Sequence, residues 1–198
     1  MTERRIIYQP YHLPKDVGVA LVVLLALGLG WLLFMQSDGG VRTFQAADAP
    51  FRMNIPAGWN DADSLQDVLL KVEDWQTASP FKTTLTVESR ELEAQNPPTL
   101  QTLIDRRVAQ RGELTGYHFL SDGEATVGGA KAMQIEYAYV DQPIDEARRP
   151  SLPVVVHARE YVVVTQDRTY YITLAAPEND FQRASRRFDQ MIASVQLS

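Results

Sequence analysis

One apolar stretch, residues 17–35, constrains this chain more than any other feature of its sequence. It reads VGVALVVLLALGLGWLLFM and contains no charged or strongly polar side chain. At about 1.5 Å per residue, a helix of this length spans roughly 28 Å, close to the hydrocarbon thickness of a bilayer. We therefore predict a transmembrane helix at 17–35, with a stub at 1–16, a linker at 36–43 and a domain at 44–198.

Two alternatives compete with an uncleaved membrane anchor. A buried core helix of this length would normally carry a polar face, which this stretch lacks. A cleaved signal peptide needs a shorter apolar run with small residues directly behind it. The nearest such site, Ala47-Asp48-Ala49, lies well beyond the run and is followed by Pro50.

The distribution of charge predicts the orientation of the anchor. Residues 1–16 carry a net charge of +1 and residues 36–198 a net charge of -7. The positive-inside bias therefore places the stub in the cytoplasm and the C-terminal domain outside it, in the periplasm or the extracellular space. An acidic domain is also a poor match for the phosphates of nucleic acid, so we expect no nucleic-acid partner.

Small residues inside the apolar stretch suggest a surface for helix packing. Ala26 and Gly30 form a small-xxx-small pair with Gly28 between them, and such a pair lets a second helix approach closely. Trp31, near the outer boundary, suits the aromatic belt of a membrane helix. Because glycine and alanine are common in membrane helices, these residues also fit an anchor that contacts lipid alone.

The domain reads as alternating strands and two amphipathic helices. Gly128-Gly129 joins two strands and is a strong hairpin signal. Thr99 is the predicted N-cap of a helix that ends near Gly112. A last helix begins near Pro177, with an apolar face of Phe181, Ala184, Phe188, Met191, Ile192 and Val195. The predicted strands are 41–46, 50–55, 69–75, 83–92, 118–127, 130–140, 154–165 and 169–175, with an exposed loop at 141–153. We predict an α+β fold, an antiparallel sheet of about six strands with helices packed on it.

Several segments resemble the PsbP-like (Mog1/PsbP) domain superfamily over about residues 44–196. Near its start, the predicted domain reads Phe51-Arg-Met-Asn-Ile55-Pro56-Ala-Gly58-Trp59, similar to the family's F-x-I-P-x-G-W start. A closing hairpin with Tyr170-Tyr171-Ile172-Thr173 precedes a last helix that ends in Phe188-Asp-Gln-Met191-Ile192-Ala-Ser194. Members include extrinsic photosystem II subunits, a Ran-binding protein and envelope lipoproteins, with no shared catalytic activity. The resemblance implies a Mog1/PsbP-like sandwich that serves in binding or assembly.

The remaining residues give no strong signal of catalysis or of a cofactor. The chain has no cysteine and three histidines, which excludes thiolate chemistry and disfavours a multi-histidine metal site. No nucleophile elbow, P-loop, zincin or EF-hand motif is present. Asp61, Asp63 and Asp67 share a predicted loop without the ordered spacing of a calcium site. We expect His118 and His157 to be half-exposed strand residues, and Trp59 and Trp75 to serve in packing.

Two functions remain in view, and an enzyme is the least supported reading. The first is a noncatalytic, single-pass accessory or assembly subunit of a larger bacterial membrane complex, such as a respiratory or photosynthetic electron-transport complex. The candidate contacts with other subunits in that complex are Tyr8, Tyr11, Arg183, Arg186 and Arg187. The alternative is a free-standing envelope protein that binds a small ligand, peptide or lipid on the open sheet face. A pocket lined by Tyr137, Tyr139, Tyr161 or Trp75 would favour this alternative.

Overall fold

The computed structural model describes residues 15–38, 40–63, 68–92, 97–146 and 149–197. The chain divides into two compact units, residues 1–40 and residues 41–198. In the first unit, helix α1 spans Lys15–Asp38 and contains the whole apolar stretch at 17–35. Its apolar side chains are exposed over residues 17–32, with Leu24 at 70%. Over the described residues, the structure has no helix that combines the length and the apolarity of a membrane span. The anchor at 17–35 stays a prediction.

The second unit is built on one antiparallel sheet of seven strands. Its strand order is β3-β4-β5-β11-β10-β7-β6, and two short hairpins, β1-β2 and β8-β9, lie outside it. The sheet strands are β3 (Asn60–Asp61), β4 (Val68–Asp74), β5 (Thr83–Glu91), β6 (His118–Val127), β7 (Ala130–Asp141), β10 (Val154–Val164) and β11 (Arg168–Pro177). The hairpin strands are β1 (Val41–Gln45), β2 (Arg52–Pro56), β8 (Ile144–Glu146) and β9 (Arg149–Pro150).

One face of the sheet is covered by helix α3 (Glu178–Ala193) and the β1-β2 hairpin. The apolar residues predicted for the last helix are all buried, from Ile192 at 9% exposure to Phe188 at 0%, and they include Val195 just past the end of α3. They form the larger core with the facing strand residues and with four residues near the start of the domain, Phe51, Met53, Ile55 and Trp59. Ser194 closes this layer, since its hydroxyl accepts a hydrogen bond from the Asn54 amide at 2.9 Å.

The other face carries helix α2 (Leu100–Arg111). Leu103 and Ile104 of α2 pack on Ile135, Tyr137 and further residues of β7, β10 and β11 to form a second, smaller core. The predicted cap is confirmed, because the Thr99 hydroxyl accepts from the Thr102 amide at 3.2 Å. Helix α2 covers only part of its face, and the uncovered part leaves space above the strands.

The predicted α+β class is confirmed, with two differences in detail. The sheet has seven strands rather than about six, because Asn60 and Asp61 pair with Val72 and Glu73 at its edge. The segment predicted as an exposed loop at 141–153 contains the β8-β9 hairpin. Neither short element has the alternation of apolar residues from which strands are predicted.

Candidate functional site

Helix α2 brings two arginines over the sheet. Arg107 and Arg111 are four residues apart, so they lie one turn apart on the helix face that also carries Leu103 and Ile104. Arg107 is 3% exposed, and the Arg111 side chain is 22% exposed. A helix face that packs on strands normally carries apolar residues, and buried guanidinium groups require acidic partners below them.

Those partners are Glu160 on β10 and Glu88 on β5. Glu160 is fully buried, and its carboxylate accepts from Arg107 Nε at 2.5 Å and from Arg111 Nε at 3.3 Å. Glu88 accepts from Arg107 Nη2 at 2.6 Å and lies 3.8 Å from Arg111. We call these four residues the buried charge network.

Aromatic rings complete the network. The Tyr137 hydroxyl donates to Glu160 Oε2 at 3.4 Å. The guanidinium carbon of Arg107 lies 4.5 Å from the centre of the Tyr171 ring, and that of Arg111 lies 5.8 Å from the Tyr137 ring. These cation–π contacts, together with the ion pairs, fix the arginine side chains in place.

Electrostatics keep the network charged. Burial acts to lower the pKa of Arg107, but the charges of Glu160 and Glu88 outweigh it and hold the pKa above its ordinary value. For Glu88, burial acts to raise the pKa, yet the bond and charge of Arg107 bring it below the ordinary glutamate value. Burial, with a smaller effect of Glu160, raises the pKa of Tyr137 well above 10, so this phenol stays a hydrogen-bond donor.

Beside the network, the uncovered part of the sheet forms a cavity of about 300 Å³, which we call the central trough. Its walls combine aromatic rings, threonine hydroxyls and charged groups. They include Phe81, Tyr137 and Tyr139, then Thr84, Thr86 and Thr173, and finally Lys71, Glu73, Glu88 and Arg111. The Thr173 hydroxyl is buried and has no hydrogen-bond partner among the described residues.

The arrangement is suited to binding. Aromatic surfaces with a few fixed polar groups are typical of small-molecule sites, and about 300 Å³ is at the small end of their size range. The charged groups of the network are matched in number, two arginines against two glutamates, and each is bound to another member. Such groups orient a ligand, but they offer no nucleophile beside a free base.

The sequence hypothesis of a tyrosine-lined pocket is partly right. Tyr137 and Tyr139 line the central trough. Tyr161 faces the opposite layer, where its ring lies 5.6 Å from that of Phe188. Trp75 follows β4, is 62% exposed and does not line the trough, whereas Trp59 is buried at 3% as expected.

The predicted helix-docking residues lie on α1, and their side chains are exposed. At about 100° per residue, Ala26 and Gly30 share one face of the helix, and Gly28 lies on the opposite face. Gly28 instead lines a shallow groove with Leu21, Leu24, Leu25, Leu29 and Leu32. Trp31 is 66% exposed.

The three arginines predicted as partner contacts lie on α3, across the sheet from the central trough. Arg183 pairs with Asp180 at 3.0 Å. Arg186 donates to the Gln182 carbonyl at 3.3 Å, and Arg187 lies 3.4 Å from Asp74. Tyr8 and Tyr11 lie outside the described residues.

The acidic and histidine candidates do not converge on one site. Asp61 binds Arg42 at 2.5 Å, and Asp67 lies outside the described residues. The described residues contain no group of three or more metal-ligating side chains. His157 stacks on Phe181 with ring centres 3.5 Å apart and its Nδ1 3.2 Å from Glu178, while His118 is exposed on the edge strand β6.

Sequence reasoning missed the buried charge network. Two signals were present: a pair of arginines four residues apart on an apolar helix face, and Glu160 alternating with Ala158 and Val162 on a buried strand face. A charge at a position where the pattern calls for an apolar residue indicates a buried partner. Nothing in the local pattern says which residue that partner is.

Comparisons with known proteins identify a sequence family and related folds. Residues 43–197 match the family model described as the serine/threonine kinase C-terminal domain. No curated protein matches the sequence of the chain.

Solved structures show the same fold. Cyanobacterial PsbP (CyanoP) from Synechocystis sp. PCC 6803 is 13% identical with a TM-score of 0.59, and 80% of this chain aligns with 92% of that one. LpqN, involved in cell envelope biogenesis of Mycobacterium tuberculosis, is 12% identical over 80% of this chain and 92% of its own, with a TM-score of 0.56. The Saccharomyces cerevisiae Ran-binding protein Mog1p is 12% identical over 80% of this chain and 95% of its own, with a TM-score of 0.50. The expected PsbP/Mog1-like fold is therefore confirmed, and at these identities the likeness concerns the fold alone.

Proposed function

The chain belongs to the serine/threonine kinase C-terminal domain family over residues 43–197, and on this premise we propose that it is a noncatalytic binding module anchored to a membrane. An N-terminal helix holds the module outside the cytoplasm, and the central trough binds its ligand. The observation that carries the proposal is the trough itself, where Tyr137 and Tyr139 lie beside Arg111 of the buried charge network. Its ligand is a small molecule, a peptide or a lipid.

The sequence supports the anchor and its orientation. Nineteen residues without a charge, flanked by a stub of net charge +1 and a domain of net charge -7, are typical of a single-pass helix with a cytoplasmic N-terminus.

The absence of cysteine from the chain makes the topology directly testable. Single-cysteine variants Thr2→Cys and Ser121→Cys are expressed as full chains and treated with a membrane-impermeant maleimide. We expect Ser121→Cys to react in spheroplasts and Thr2→Cys to react only after the membranes are opened. Recovery of the chain in the aqueous fraction after a carbonate wash, without its first forty residues, would overturn the anchor.

Ligand binding in the central trough is tested with a variant whose larger side chain occupies the trough. Thr86→Tyr places a ring among the lining residues, and Thr126→Tyr, on the exposed face of the edge strand β6, is the matched control. The full chain in detergent is screened by thermal shift against small molecules, peptides and lipids. We expect compounds that stabilise the wild type and Thr126→Tyr but not Thr86→Tyr. If every stabilising compound acts equally on both variants, the ligand does not bind in the trough.

A second proposal, an accessory subunit of a larger membrane complex, is supported by the exposed pair Ala26 and Gly30 on α1. A partner helix would lie against this face, where small residues allow close approach. Gly30→Leu then abolishes co-purification of a defined set of subunits from native membranes, whereas Gly28→Leu, on the opposite helix face, preserves it. A chain that is always isolated alone and monomeric from gently solubilised membranes would contradict this role.

A further inference from the structure

A second cavity, of about 500 Å³, lies beneath the N-terminal half of helix α2, on the side away from the central trough. We call it the lateral cavity. Helix α2 forms one wall, the ends of β5 and β11 form the other, and its polar lining includes Arg90, Thr99, Thr102, Arg106 and Thr169. It shares no lining residue with the trough, so its role is independent of the function proposed above.

The charges around the lateral cavity are not balanced. Two of its arginines are exposed: the Arg90 side chain is 53% exposed and lies 3.8 Å from Glu88, and Arg106 has no charged or hydrogen-bonded partner among the residues that the structure describes. Glu88 is already bound by Arg107, and the acidic lining residue Glu91 is paired with Arg168 at 2.9 Å. Among the described residues that line the cavity, three arginines (Arg90, Arg106 and Arg107) stand against one glutamate (Glu91), a surplus of two positive charges.

Helix α2 adds a second source of positive potential. Its first turn opens on the cavity at Thr99 and Thr102. The first amides of a helix lack intrahelical acceptors, and the helix dipole favours an anion at this end. In α2 the Thr102 amide is bound by the Thr99 hydroxyl and the Leu103 amide by the Thr99 carbonyl, so the contribution of this end to the cavity is the positive end of the helix dipole.

An unpartnered hydroxyl points independently to a ligand. Thr169 on β11 is 1% exposed and lines the lateral cavity, and within the described part of the chain its Oγ1 has no hydrogen-bond partner. A buried hydroxyl without a partner costs free energy, and an oxyanion in the cavity would supply the missing acceptor. Tyr171, beside it, holds the Arg107 guanidinium over its ring and so keeps the adjoining wall in place.

We propose that the lateral cavity binds a phosphate group, carried either by a soluble molecule or by a lipid headgroup. Arg106 and Arg90 supply the charge, the first turn of α2 supplies the positive end of the helix dipole, and Thr169 supplies a hydroxyl. Arginine forks match the oxygens of phosphate, and helix N-termini favour the same group. The cavity is much larger than a bare ion, so the phosphate belongs to a larger molecule.

The test is a calorimetric titration of the full chain in neutral detergent with inorganic phosphate and, separately, with glycerol 3-phosphate. Both probes bind saturably, and Arg106→Gln and Thr169→Val each weaken the Kd about ten-fold, the effect of losing one charge-assisted bond. Arg186→Gln, an exposed arginine on α3 across the sheet, leaves the Kd unchanged. Glycerol 3-phosphate binds more tightly than inorganic phosphate, because the cavity is larger than a bare ion. Tighter binding still of phosphatidic acid in the detergent micelles assigns the group to a lipid headgroup, and equal or weaker binding of phosphatidic acid assigns it to a soluble molecule.

Two results overturn the proposal. One is the absence of saturable binding of either probe to a wild-type chain that unfolds cooperatively. The other is binding that Arg106→Gln leaves unchanged, which places the anion elsewhere. Arg106 is exposed and unpartnered, so its replacement leaves the fold intact and the comparison valid. Because Arg106 and Thr169 do not line the central trough, failure here leaves the Thr86→Tyr experiment unaffected.

Discussion

Arg107 on α2 and Glu160 on β10 form an ion pair that is buried at both ends, with Nε 2.5 Å from Oε1. The arginine side chain is 3% exposed and the glutamate 0%. Removing both charges from water is costly, and the cost is recovered only because each group is bound by several partners. This pair, 53 residues apart in sequence, attaches helix α2 to the sheet.

Replacing Arg107 alone is therefore expected to destabilise the fold strongly. Arg107→Met keeps an unbranched apolar side chain at this position but leaves Glu160 buried with one fewer cation. We expect the free energy of unfolding to fall by about 3 kcal/mol. Urea denaturation of the full chain in detergent measures the change. Arg106→Met, one residue away and exposed, should change it by less than about 0.5 kcal/mol.

A double-mutant cycle separates the pair from simple packing. Arg107→Met combined with Glu160→Met removes both buried charges and leaves Glu88 and Arg111 close to each other. The double variant should be more stable than the sum of the single effects predicts, by about 1–3 kcal/mol. Strict additivity would show that Arg107 and Glu160 do not depend on each other.

The network also predicts a loss of stability in acid. Burial acts to raise the pKa of Glu88, but the bond and charge of Arg107 outweigh it, and the folded-state pKa lies below the ordinary value of 4.5. The stabilisation is therefore fully present above that value and is lost as the pH falls through the lower, folded-state pKa. Urea midpoints measured from neutral pH down to acid should fall more steeply for the wild type than for Glu88→Gln. Parallel curves would show that Glu88 has the same pKa in both states.

Much of the fold can be predicted from local patterns. The alternation in β5 and β7, the Gly128-Gly129 turn and the apolar face of α3 each depend on residues that are neighbours in sequence. Backbone geometry converts such patterns directly into strands, turns and helix faces. The short strands β3 and β8 were missed because neither has an apolar alternation, and their pairing depends on contacts made after folding.

The candidate site was less accessible to sequence reasoning. Tyr137 and Tyr139 could be named, because their alternation on β7 shows that they share a face. Their separation from Tyr161 could not be foreseen, because it depends on which face of β10 meets α3. The pairing of Arg107 with Glu160 depends on the placement of α2 across the sheet, and no local pattern encodes that placement.

The hairpin between β6 and β7 offers a matched pair of glycines. Gly128 and Gly129 both have positive φ, 56° and 81°, a conformation that costs other residues about 1–2 kcal/mol. A Cβ on Gly128 would also lie 3.1 Å from Leu197 Cγ and from the Val195 carbonyl oxygen, whereas a Cβ on Gly129 would meet nothing within 4 Å. Gly129→Ala should lower the free energy of unfolding by about 1 kcal/mol, and Gly128→Ala should lower it further. Equal losses would show that the C-terminal segment moves aside freely.

Alkaline pH reports on the trough through Tyr139. Burial, with a smaller effect of Asp141, raises the pKa of this phenol from 10 to about 12. Between these two values Tyr139 keeps its proton in the folded state and releases it in the unfolded state. The stability that the protonated phenol contributes is therefore complete below pH 10 and is lost as the pH rises towards 12. Midpoints of urea denaturation should fall less steeply over this range in Tyr139→Phe than in the wild type. Because burial is the larger cause, Asp141→Asn should reduce the slope only in part, and an unchanged slope in Tyr139→Phe would show that the trough leaves this hydroxyl in solvent.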